Sequence, residues 1–338
     1  MYRGKSIAVV VPAYNEEKQI AGVIDSMPEW VDHIVIVDDQ SKDRTVEVVR
    51  AYVSDRVVLL EHAVNQGVGG AIATGYCWAR DHAIDIAAVM AGDGQMAPEE
   101  LWRVLDPLVE DQADYCKGNR FFTGKAWDAM PKVRFFGNAG LSLLSKFVSG
   151  YWHVSDVPCG YTACNLETLQ SIDFDKMYRR YGMPVSMLVL ANMENLRVCE
   201  VPISPLYNVG EQSKLKVRKV TFTISALLIR LFFQRMWWKY VVRDFHPLVI
   251  FYLVGFLLSA AGGLLSLTLL FRNWRIIDFL YSPMPVGWII LAAVALISGL
   301  QFILFGSWFD MDYNKPNCVI LKHRGRTSAK TEQVTTSA

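Results

Sequence analysis

The chain has 338 residues, of which 52% are hydrophobic, and its formal net charge is +1. This composition is too apolar for an ordinary soluble enzyme and too polar for a protein made only of membrane spans. It therefore predicts a soluble domain joined to a few spans. The near-neutral charge argues against a polyanionic partner such as nucleic acid. The six cysteines form no CxxC pair, which favours free thiols in a reducing compartment.

Short apolar runs alternate with helix-like segments in the N-terminal part of the chain. The runs predicted to be strands are Ile7–Val11, His33–Val37, Val57–Leu60 and Ile86–Met90. The segments predicted to be helices are Glu17–Met27, Thr45–Tyr52, Gly70–Asp85 and Pro98–Glu110. This alternation predicts a parallel α/β sheet, in which ligands bind outside the carboxyl ends of the strands.

A polar or glycine-rich cluster follows each of these four strands. In chain order the clusters are PAYNEE, DDQSKD, EHAVNQGVGG and AGDGQ. One cluster alone would be a loop, but four at the same sheet edge predict a nucleotide-type pocket. The third cluster lacks the GxGxxG spacing of a dinucleotide fingerprint. Its backbone N–H groups fit either a tight turn or an anion-facing part of the pocket.

Asp38 and Asp39 end the second strand, and two adjacent carboxylates repel each other unless something offsets their charge. The N–H group of a base, a ribose hydroxyl or a nearby cation would do so. The alternative is helix capping by Ser41 or Asp43 ahead of Thr45, which explains Asp43 but not the two carboxylates before it.

Two long uncharged stretches, Pro247–Phe271 and Pro283–Phe309, are each long enough to cross a bilayer as a tilted helix. Basic residues are concentrated outside them, so both termini are predicted to be cytoplasmic in a multi-pass protein of the cytoplasmic membrane. These basic residues are Arg230, Arg235, Lys239 and Arg243 before the first span, and Lys315, Lys322, Arg324, Arg326 and Lys330 after the second.

The segment ahead of the first span, Val217–Phe245, mixes apolar and basic residues at roughly helical spacing. It is predicted to lie on the membrane surface with its basic side toward anionic headgroups, and the Trp237–Trp238 pair favours that position. The alternative is an amphipathic helix packed on the soluble domain. The predicted domains are thus 1–216 (soluble domain), 217–245 (juxtamembrane helix), 246–310 (two spans) and 311–338 (cytoplasmic tail).

Several segments, in this order and spacing, carry a resemblance to a known family. They are VPAYNEE, VDDQSKDRT, NQGVGGAIATGY and GDGQ, followed by GNRF, MPKVRFFGN, DVPCGYTA and GEQSKLK. The first four resemble glycosyltransferase family 2, and the later four are similar to polyprenyl-phosphate glycosyltransferases of the dolichyl-phosphate mannose synthase type. The resemblance covers about residues 5–220. It implies a GT-A fold, which is a Rossmann-like mixed sheet, and an inverting sugar transfer from a UDP- or GDP-hexose to undecaprenyl or dolichyl phosphate.

The resemblance also implies roles for individual residues. The donor nucleoside and diphosphate would be bound by Pro12, Ala13, Tyr14, Glu16, Asp38, Asp39, Gln66, Gly67, Asp93, Gly94 and Gln95. A divalent cation, Mg²⁺ or Mn²⁺, would be held by Asp93 and Gln95. The catalytic set would be Asp93 with Arg120, Arg134 and Lys214 around the phosphates, and with Asp156 in the acceptor loop. We interpret Asp156 as a residue that orients a cationic side chain.

The chemistry of such a transfer agrees with this set. The nucleophile is a phosphate monoester whose second pKa is about 6 by analogy with phosphoserine, so it is mostly a dianion at neutral pH. It needs positioning and cationic guidance but no general base. The absence of a histidine-based dyad in the sequence is therefore expected.

One position departs from the family pattern. The usual Asp-x-Asp-x-Gln reads Ala91-Gly92-Asp93-Gly94-Gln95 here, so the first carboxylate is missing. Three interpretations remain open. The metal binds through Asp93, Gln95, diphosphate oxygens and water. Alternatively, a remote acidic residue compensates, or the protein binds the donor without catalysis.

Other function classes fit less well. A processive polysaccharide synthase carries a QxxRW motif, but QRMWW places Trp237 where the arginine is needed. A sugar nucleotidyltransferase would show a glycine-rich loop where PAYNEE stands. A non-catalytic membrane-tethered nucleotide-sugar binder is supported only by Ala91. The small residues of Ser259–Gly263 suit either packing within one chain or a homo-oligomer.

Overall fold

The computed structural model describes residues 1–122, 132–204, 217–273 and 286–321. The strands are β1 (Ile7–Ala13), β2 (His33–Asp38), β3 (Val57–Glu61), β4 (Ile86–Val89), β5 (Tyr115–Asn119), β6 (Thr162–Asn165), β7 (Val198–Pro202) and β8 (Cys318–Val319). Together they form an eight-stranded sheet in the order β3-β2-β1-β4-β6-β5-β7-β8.

The first four strands pair in parallel, as the alternation of strands and helices predicts. Strand β6 runs antiparallel to both β4 and β5, whereas β7 is parallel to β5 and to β8. The sheet is therefore mixed, which agrees with the fold that the resemblance implies.

The helices are α1 (Ile20–Asp25), α2 (Thr45–Arg50), α3 (Val68–Asp81), α4 (Leu101–Val109), α5 (Lys132–Ser149), α6 (Leu166–Ser171), α7 (Met183–Met193), α8 (Val217–Arg235), α9 (Leu248–Asn273) and α10 (Val286–Tyr313). A π-helical segment, Met236–Arg243, continues α8.

Helices cover both faces of the sheet, and β1 shows why. Its side chains alternate between the two faces, and all but Pro12 are buried. Ala8 and Val10 pack into the core under α3 and α7, while Ile7, Val9 and Val11 pack into the core under α1 and α4.

The helix ends differ from the prediction by up to four residues. Helix α1 begins at Ile20, after a loop in which three backbone N–H groups donate to side chains at or just before the start of α2. The donors are Asn15, Glu16 and Glu17, and the acceptors are Ser41, Thr45 and Asp43, in that order. Helix α3 ends at Asp81 and not at Asp85, because Ala83 adopts a left-handed φ of 52°.

Within the described residues, α9 and α10 contain stretches long and apolar enough to cross a membrane, namely Leu248–Phe271 and Val286–Tyr313. Small residues let these two helices pack against each other. A Cβ added to Gly262 would lie 2.8 Å from the Leu296 nitrogen, and one on Gly299 would lie 2.4 Å from Ser259 Oγ. Ser259 and Gly262 thus serve packing within the chain.

The chain returns to the soluble domain after the second of these helices. Helix α10 extends to Tyr313, and β8 then pairs with β7, with Val198 opposite Cys318 and Cys199 opposite Val319. The first part of the predicted tail 311–338 is therefore helix and sheet, and residues 322–338 lie outside the described residues.

A buried polar cluster, which we call the Arg235–Asp310 cluster, joins α10 to the soluble domain. Asp310 accepts hydrogen bonds from both terminal nitrogens of Arg235 at 2.7 and 2.9 Å. Lys239 Nζ donates to the Asn192 carbonyl at 2.6 Å and to Asn314 Oδ1 at 2.8 Å. Arg235 is 0% and Lys239 is 2% exposed, so the expectation that they face lipid headgroups is wrong.

The juxtamembrane helix packs on the soluble domain, which is the alternative that the sequence left open, and it also has an exposed apolar face. Leu227 and Leu231 are buried in the core that α8 shares with α7. Phe233, Trp237 and Trp238 are exposed, at 58%, 57% and 48%. One face therefore packs on the soluble domain while the other presents large apolar side chains outward.

Candidate functional site

The carboxyl ends of β1 to β4 open onto one cavity of about 620 Å³. Because these four strands are parallel and adjacent, the polar clusters that follow them meet at one edge of the sheet. The predicted site residues that line the cavity are Pro12, Ala13, Tyr14, Glu16, Asp39, Gly67 and Asp93. Four predicted donor residues, Asp38, Gln66, Gly94 and Gln95, are not in its wall.

The segment after β1 forms one wall of the cavity. Ala13 pairs with Asp38 across the sheet, and its carbonyl accepts the Asp39 N–H at 2.9 Å. Asn15 adopts a left-handed φ of 58°, which turns the chain sharply after the strand. Tyr14, 37% exposed, and Glu16 thereby reach the cavity from either side of this turn.

The two adjacent carboxylates after β2 are offset mainly by the protein's own donors. Asp39 accepts the backbone N–H groups of Gln66 and Gly67, both at 2.7 Å, and lies 2.8 Å from His62 Nδ1. Asp38 Oδ2 accepts the Ser41 N–H at 2.9 Å, while Asp38 Oδ1 is buried without a hydrogen-bond partner. Asp39 therefore holds the glycine loop against β2, a contact that the sequence did not reveal.

The glycines of NQGVGG are needed for close packing against residues 178–180. Gly67 has a left-handed φ of 88°, and a Cβ there would lie 2.6 Å from the Arg179 carbonyl oxygen. A Cβ on Gly69 would lie 2.3 Å from the Tyr178 carbonyl oxygen. Gly67 also lines the cavity. The loop thus combines the tight turn and the pocket wall that the sequence left as alternatives.

The segment after β4 offers a reduced ligand set for a metal ion. Ala91, Gly92 and Asp93 line the cavity, and Asp93 Oδ1 accepts the Gln95 N–H at 3.0 Å. Over the described ranges, no three His, Cys, Asp or Glu side chains form a group that could hold a metal alone. A magnesium ion commonly uses one or two carboxylates and completes its shell with phosphate oxygens and water. Asp93 fits that pattern.

Arg120 and Asp156 form a tight pair beyond the end of β5. Arg120 Nε and Nη2 donate to the two carboxylate oxygens of Asp156 at 2.7 and 2.8 Å, and the Arg120 N–H adds a bond of 3.0 Å. Asp156 is fully buried, and neither residue lines the cavity. This bidentate geometry fits a residue that orients a cation.

Glu200 of β7 supports the Asp156 loop, and sequence reasoning missed it. Its carboxylate accepts the N–H groups of Ser155 and Asp156 at 2.9 and 3.0 Å and the Asn119 amide at 2.7 Å. Burial raises the pKa of Glu200, and these hydrogen bonds oppose that shift. The Arg134 side chain and the whole of Lys214 lie outside the described residues.

Sequence reasoning also missed a part of the cavity wall formed by residues 180–184. Arg180, Tyr181, Met183 and Pro184, which lie just before and at the start of α7, line the cavity. The sequence YRRYGMP did carry a signal, since two arginines between tyrosines precede a helix with proline in its first turn. None of the strand-end clusters includes it, so it was not predicted.

Comparison with known proteins adds the family. Residues 8–172 match glycosyl transferase family 2. The chain is 33% identical over 218 residues to the UDP-N-acetylglucosamine–dolichyl-phosphate N-acetylglucosaminyltransferase of Methanococcus voltae, which covers 60% of this chain and 86% of that protein. It is 28% identical over 231 residues to the polyprenol monophosphomannose synthase of Mycolicibacterium smegmatis, which covers 66% of this chain and 86% of that protein.

A solved structure agrees in fold. Glucosyl-3-phosphoglycerate synthase from Mycobacterium tuberculosis, in complex with Mn²⁺, UDP and glucosyl-3-phosphoglycerate, superposes with a TM-score of 0.52 at 19% identity. The match covers 69% of this chain and 80% of that one. The fold is therefore of the GT-A type.

Proposed function

Since this chain belongs to glycosyltransferase family 2, we propose that it transfers a hexose from a UDP- or GDP-hexose to undecaprenyl or dolichyl phosphate. The product is a polyprenyl-phosphate-linked monosaccharide, and the transfer inverts the anomeric carbon. One observation carries the proposal. A cavity walled by four strand ends belongs to the same chain as two helices of membrane-spanning length.

The donor occupies the cavity with its nucleoside against the segment after β1. Pro12, Ala13 and Tyr14 contribute apolar and aromatic surface to that wall. Asp39 borders the same space and is held in place by the glycine loop. A nucleoside needs both an apolar face for its base and acceptors for its hydroxyls, and this wall offers both.

Asp93 is positioned to hold a divalent cation, Mg²⁺ or Mn²⁺, with help from Gln95. When bound, such an ion neutralises the charge that grows on the leaving nucleoside diphosphate. The tight 92–95 turn, with Gly94 at a φ of 72°, fixes the Asp93 carboxylate beside the cavity. With Ala91 in place of a second carboxylate, Asp93 would hold such an ion together with donor phosphate oxygens and water.

The acceptor phosphate is already a strong nucleophile near neutral pH and needs no proton removed. Asp156 positions Arg120, because both of its carboxylate oxygens are engaged by that guanidinium. We assign Arg120, Arg134 and Lys214 to guidance of the phosphates, through the paired N–H donors of arginine and the point charge of lysine. Asp156 thereby acts as a positioning residue.

The acceptor is a lipid phosphate, so the catalytic domain must lie at the membrane surface. The two spans and the exposed aromatic face of α8 hold the catalytic domain against the cytoplasmic side of the cytoplasmic membrane, with both termini in the cytoplasm. The Trp237–Trp238 pair suits the headgroup level. The folding of β8 onto β7 supports this arrangement, because it brings the chain after the second span back to the catalytic domain.

The decisive experiment supplies purified protein in detergent with radiolabelled UDP- and GDP-hexoses and with undecaprenyl or dolichyl phosphate. We expect label in the lipid phase, and we expect Asp93→Asn to abolish it. The control is Glu47→Gln, which changes an exposed carboxylate of α2 outside the cavity and should leave transfer unchanged.

Other outcomes would contradict the proposal in distinct ways. Label in long polymer would identify a processive polysaccharide synthase. Tight nucleotide-sugar binding with no transfer to either lipid phosphate would identify a non-catalytic binder.

A further inference from the structure

The cavity wall formed by residues 180–184 contains an arginine side chain to which no role has yet been given. Among the described residues that line the cavity, the acidic side chains are Glu16, Asp39 and Asp93, and Arg180 is the only lysine or arginine. Arg120, which the sequence predicted to surround the phosphates, is not in this wall. Among the described lining residues, the positive charge of the cavity wall thus comes from a segment that no strand-end cluster includes.

Arg180 is held at the cavity by the glycine loop. The Gly70 N–H donates to the Arg179 carbonyl at 3.1 Å. A Cβ on Gly67 would lie 2.9 Å from Arg180 Cγ, so the aliphatic part of Arg180 packs directly over Gly67. The Tyr178 N–H donates to Ser186 Oγ at 3.0 Å, which ties the same segment to α7. Contacts on two sides therefore position the backbone that carries Arg180.

The two neighbouring arginines differ in their partners. Arg179 Nη2 bonds the Asp175 carboxylate at 3.3 Å and lies outside the cavity wall. Arg180 forms no ion pair with any residue in the described part of the chain. An exposed guanidinium at the rim of a cavity can engage a phosphate through paired N–H donors. Arg180 is thus available to a bound anion and Arg179 is not.

Helix α7 adds to the positive character of this wall. It begins at Met183, and Met183 and Pro184 both line the cavity. The aligned peptide dipoles of a helix give its N-terminal end partial positive charge, although the Met183 N–H is itself bonded to the Arg180 carbonyl at 2.9 Å. The N-terminal end of α7 lies next to Arg180 in the chain, and both attract an anion.

We propose that Arg180 binds a substrate phosphate, either the donor diphosphate or the acceptor phosphate, and so acts as a substrate-binding residue of this site. The assignment rests on the proposed function for the identity of the substrates. Ala91 stands where the family pattern has a carboxylate, so the protein offers the metal ion one ligand fewer beside the diphosphate. The Arg180 guanidinium supplies positive charge at the cavity that does not depend on the metal.

The test compares Arg180→Gln and Arg180→Lys with Arg179→Gln, which removes the same charge from the same segment. Titration calorimetry with UDP and GDP, in the presence of Mg²⁺, measures nucleotide affinity in full-length protein in detergent. Uridine and guanosine, which lack phosphate, are titrated in parallel. The KM for undecaprenyl phosphate is measured separately from kcat.

If Arg180 binds the donor, Arg180→Gln weakens UDP or GDP binding by about tenfold or more, while nucleoside binding is unchanged. If it binds the acceptor, nucleotide affinity is kept and the KM for undecaprenyl phosphate rises by about the same factor. Arg180→Lys should recover part of either loss, because it keeps the charge but not the paired donors.

The proposal is overturned if Arg180→Gln behaves like Arg179→Gln in both measurements. It is also overturned if uridine or guanosine binding falls as much as nucleotide binding, because the effect then does not come from phosphate. If the wild-type protein transfers no sugar, but Arg180→Gln still lowers the affinity for UDP or GDP, only the proposed function is refuted. Normal transfer with no effect of Arg180→Gln would refute this inference alone.

Discussion

Replacement of Asp310 by alanine should destabilise the junction between the membrane helices and the catalytic domain. Asp310 is fully buried and accepts hydrogen bonds from Arg235 at 2.7 and 2.9 Å, from Tyr240 at 2.5 Å and from Asn314 at 3.0 Å. Its removal leaves the buried Arg235 guanidinium without its carboxylate. Breaking one side of a buried ion pair typically costs about 3–5 kcal/mol.

A loss of that size should lower the thermal unfolding midpoint in detergent by roughly 5–15 °C. The matched control is Asp312→Ala, two residues further along α10, where the side chain is exposed. Donor binding measured below the midpoint should be unchanged, because Asp310 does not line the cavity. A midpoint within about 2 °C of the control would refute the assignment of Arg235 and Asp310 as a structural pair.

The double variant Asp310→Leu with Arg235→Met should lose less unfolding free energy than the two single variants lose in sum. With both charges removed, no buried ion is left unpaired. Recovery should be incomplete, because Arg235 also donates to the carbonyls of Val148 and Phe147 at 2.8 Å. Strict additivity in the double-mutant cycle would show that the two charges do not interact.

Three further predictions concern the catalytic domain. Mn²⁺ should bind wild type much more tightly with UDP or GDP than without, and Asp93→Ala should abolish this difference; equal affinities by electron paramagnetic resonance titration would refute the reduced metal site. Gly69→Ala should cost about 1–3 kcal/mol and weaken nucleotide binding, because its Cβ would lie 2.3 Å from the Tyr178 carbonyl oxygen. Gly137→Ala, on an open helix surface, should be neutral or stabilising in the same unfolding assay. Burial lowers the pKa of His153 to about 4, so unfolded protein binds the extra proton and stability should fall between about pH 6.5 and 4. His153→Gln should reduce that fall. If wild type and His153→Gln lose the same unfolding free energy between pH 7 and pH 5, the prediction is contradicted.

The fold class and much of the cavity wall were predictable from the sequence. Tyr14, Asp39 and Asp93 each follow a short buried run, and the parallel pairing of those runs places their carboxyl ends side by side. That inference needs only local periodicity and a general rule about parallel sheets. The two membrane-length helices were predictable for the same reason, because length and apolarity are local properties.

Helix boundaries were less predictable than the helices themselves. Helix α1 was predicted from Glu17 but begins at Ile20, and α3 was predicted to Asp85 but ends at Asp81. The end of α3 depends on the left-handed φ of 52° at Ala83, which the spacing of apolar residues does not indicate.

The sequence by itself determined the first four strands, the helices that alternate with them and the two spans, and which of those strand ends carry polar groups, because these depend on the spacing of neighbouring residues. Only the tertiary structure decided that Arg180 lines the cavity, that Arg235 is buried against Asp310, and that Cys318 joins the sheet beside Val198. Each of these contacts joins residues far apart in the chain. A basic residue at helical spacing has the same local pattern whether it faces a headgroup, a phosphate or a buried carboxylate, and packing alone selects among them.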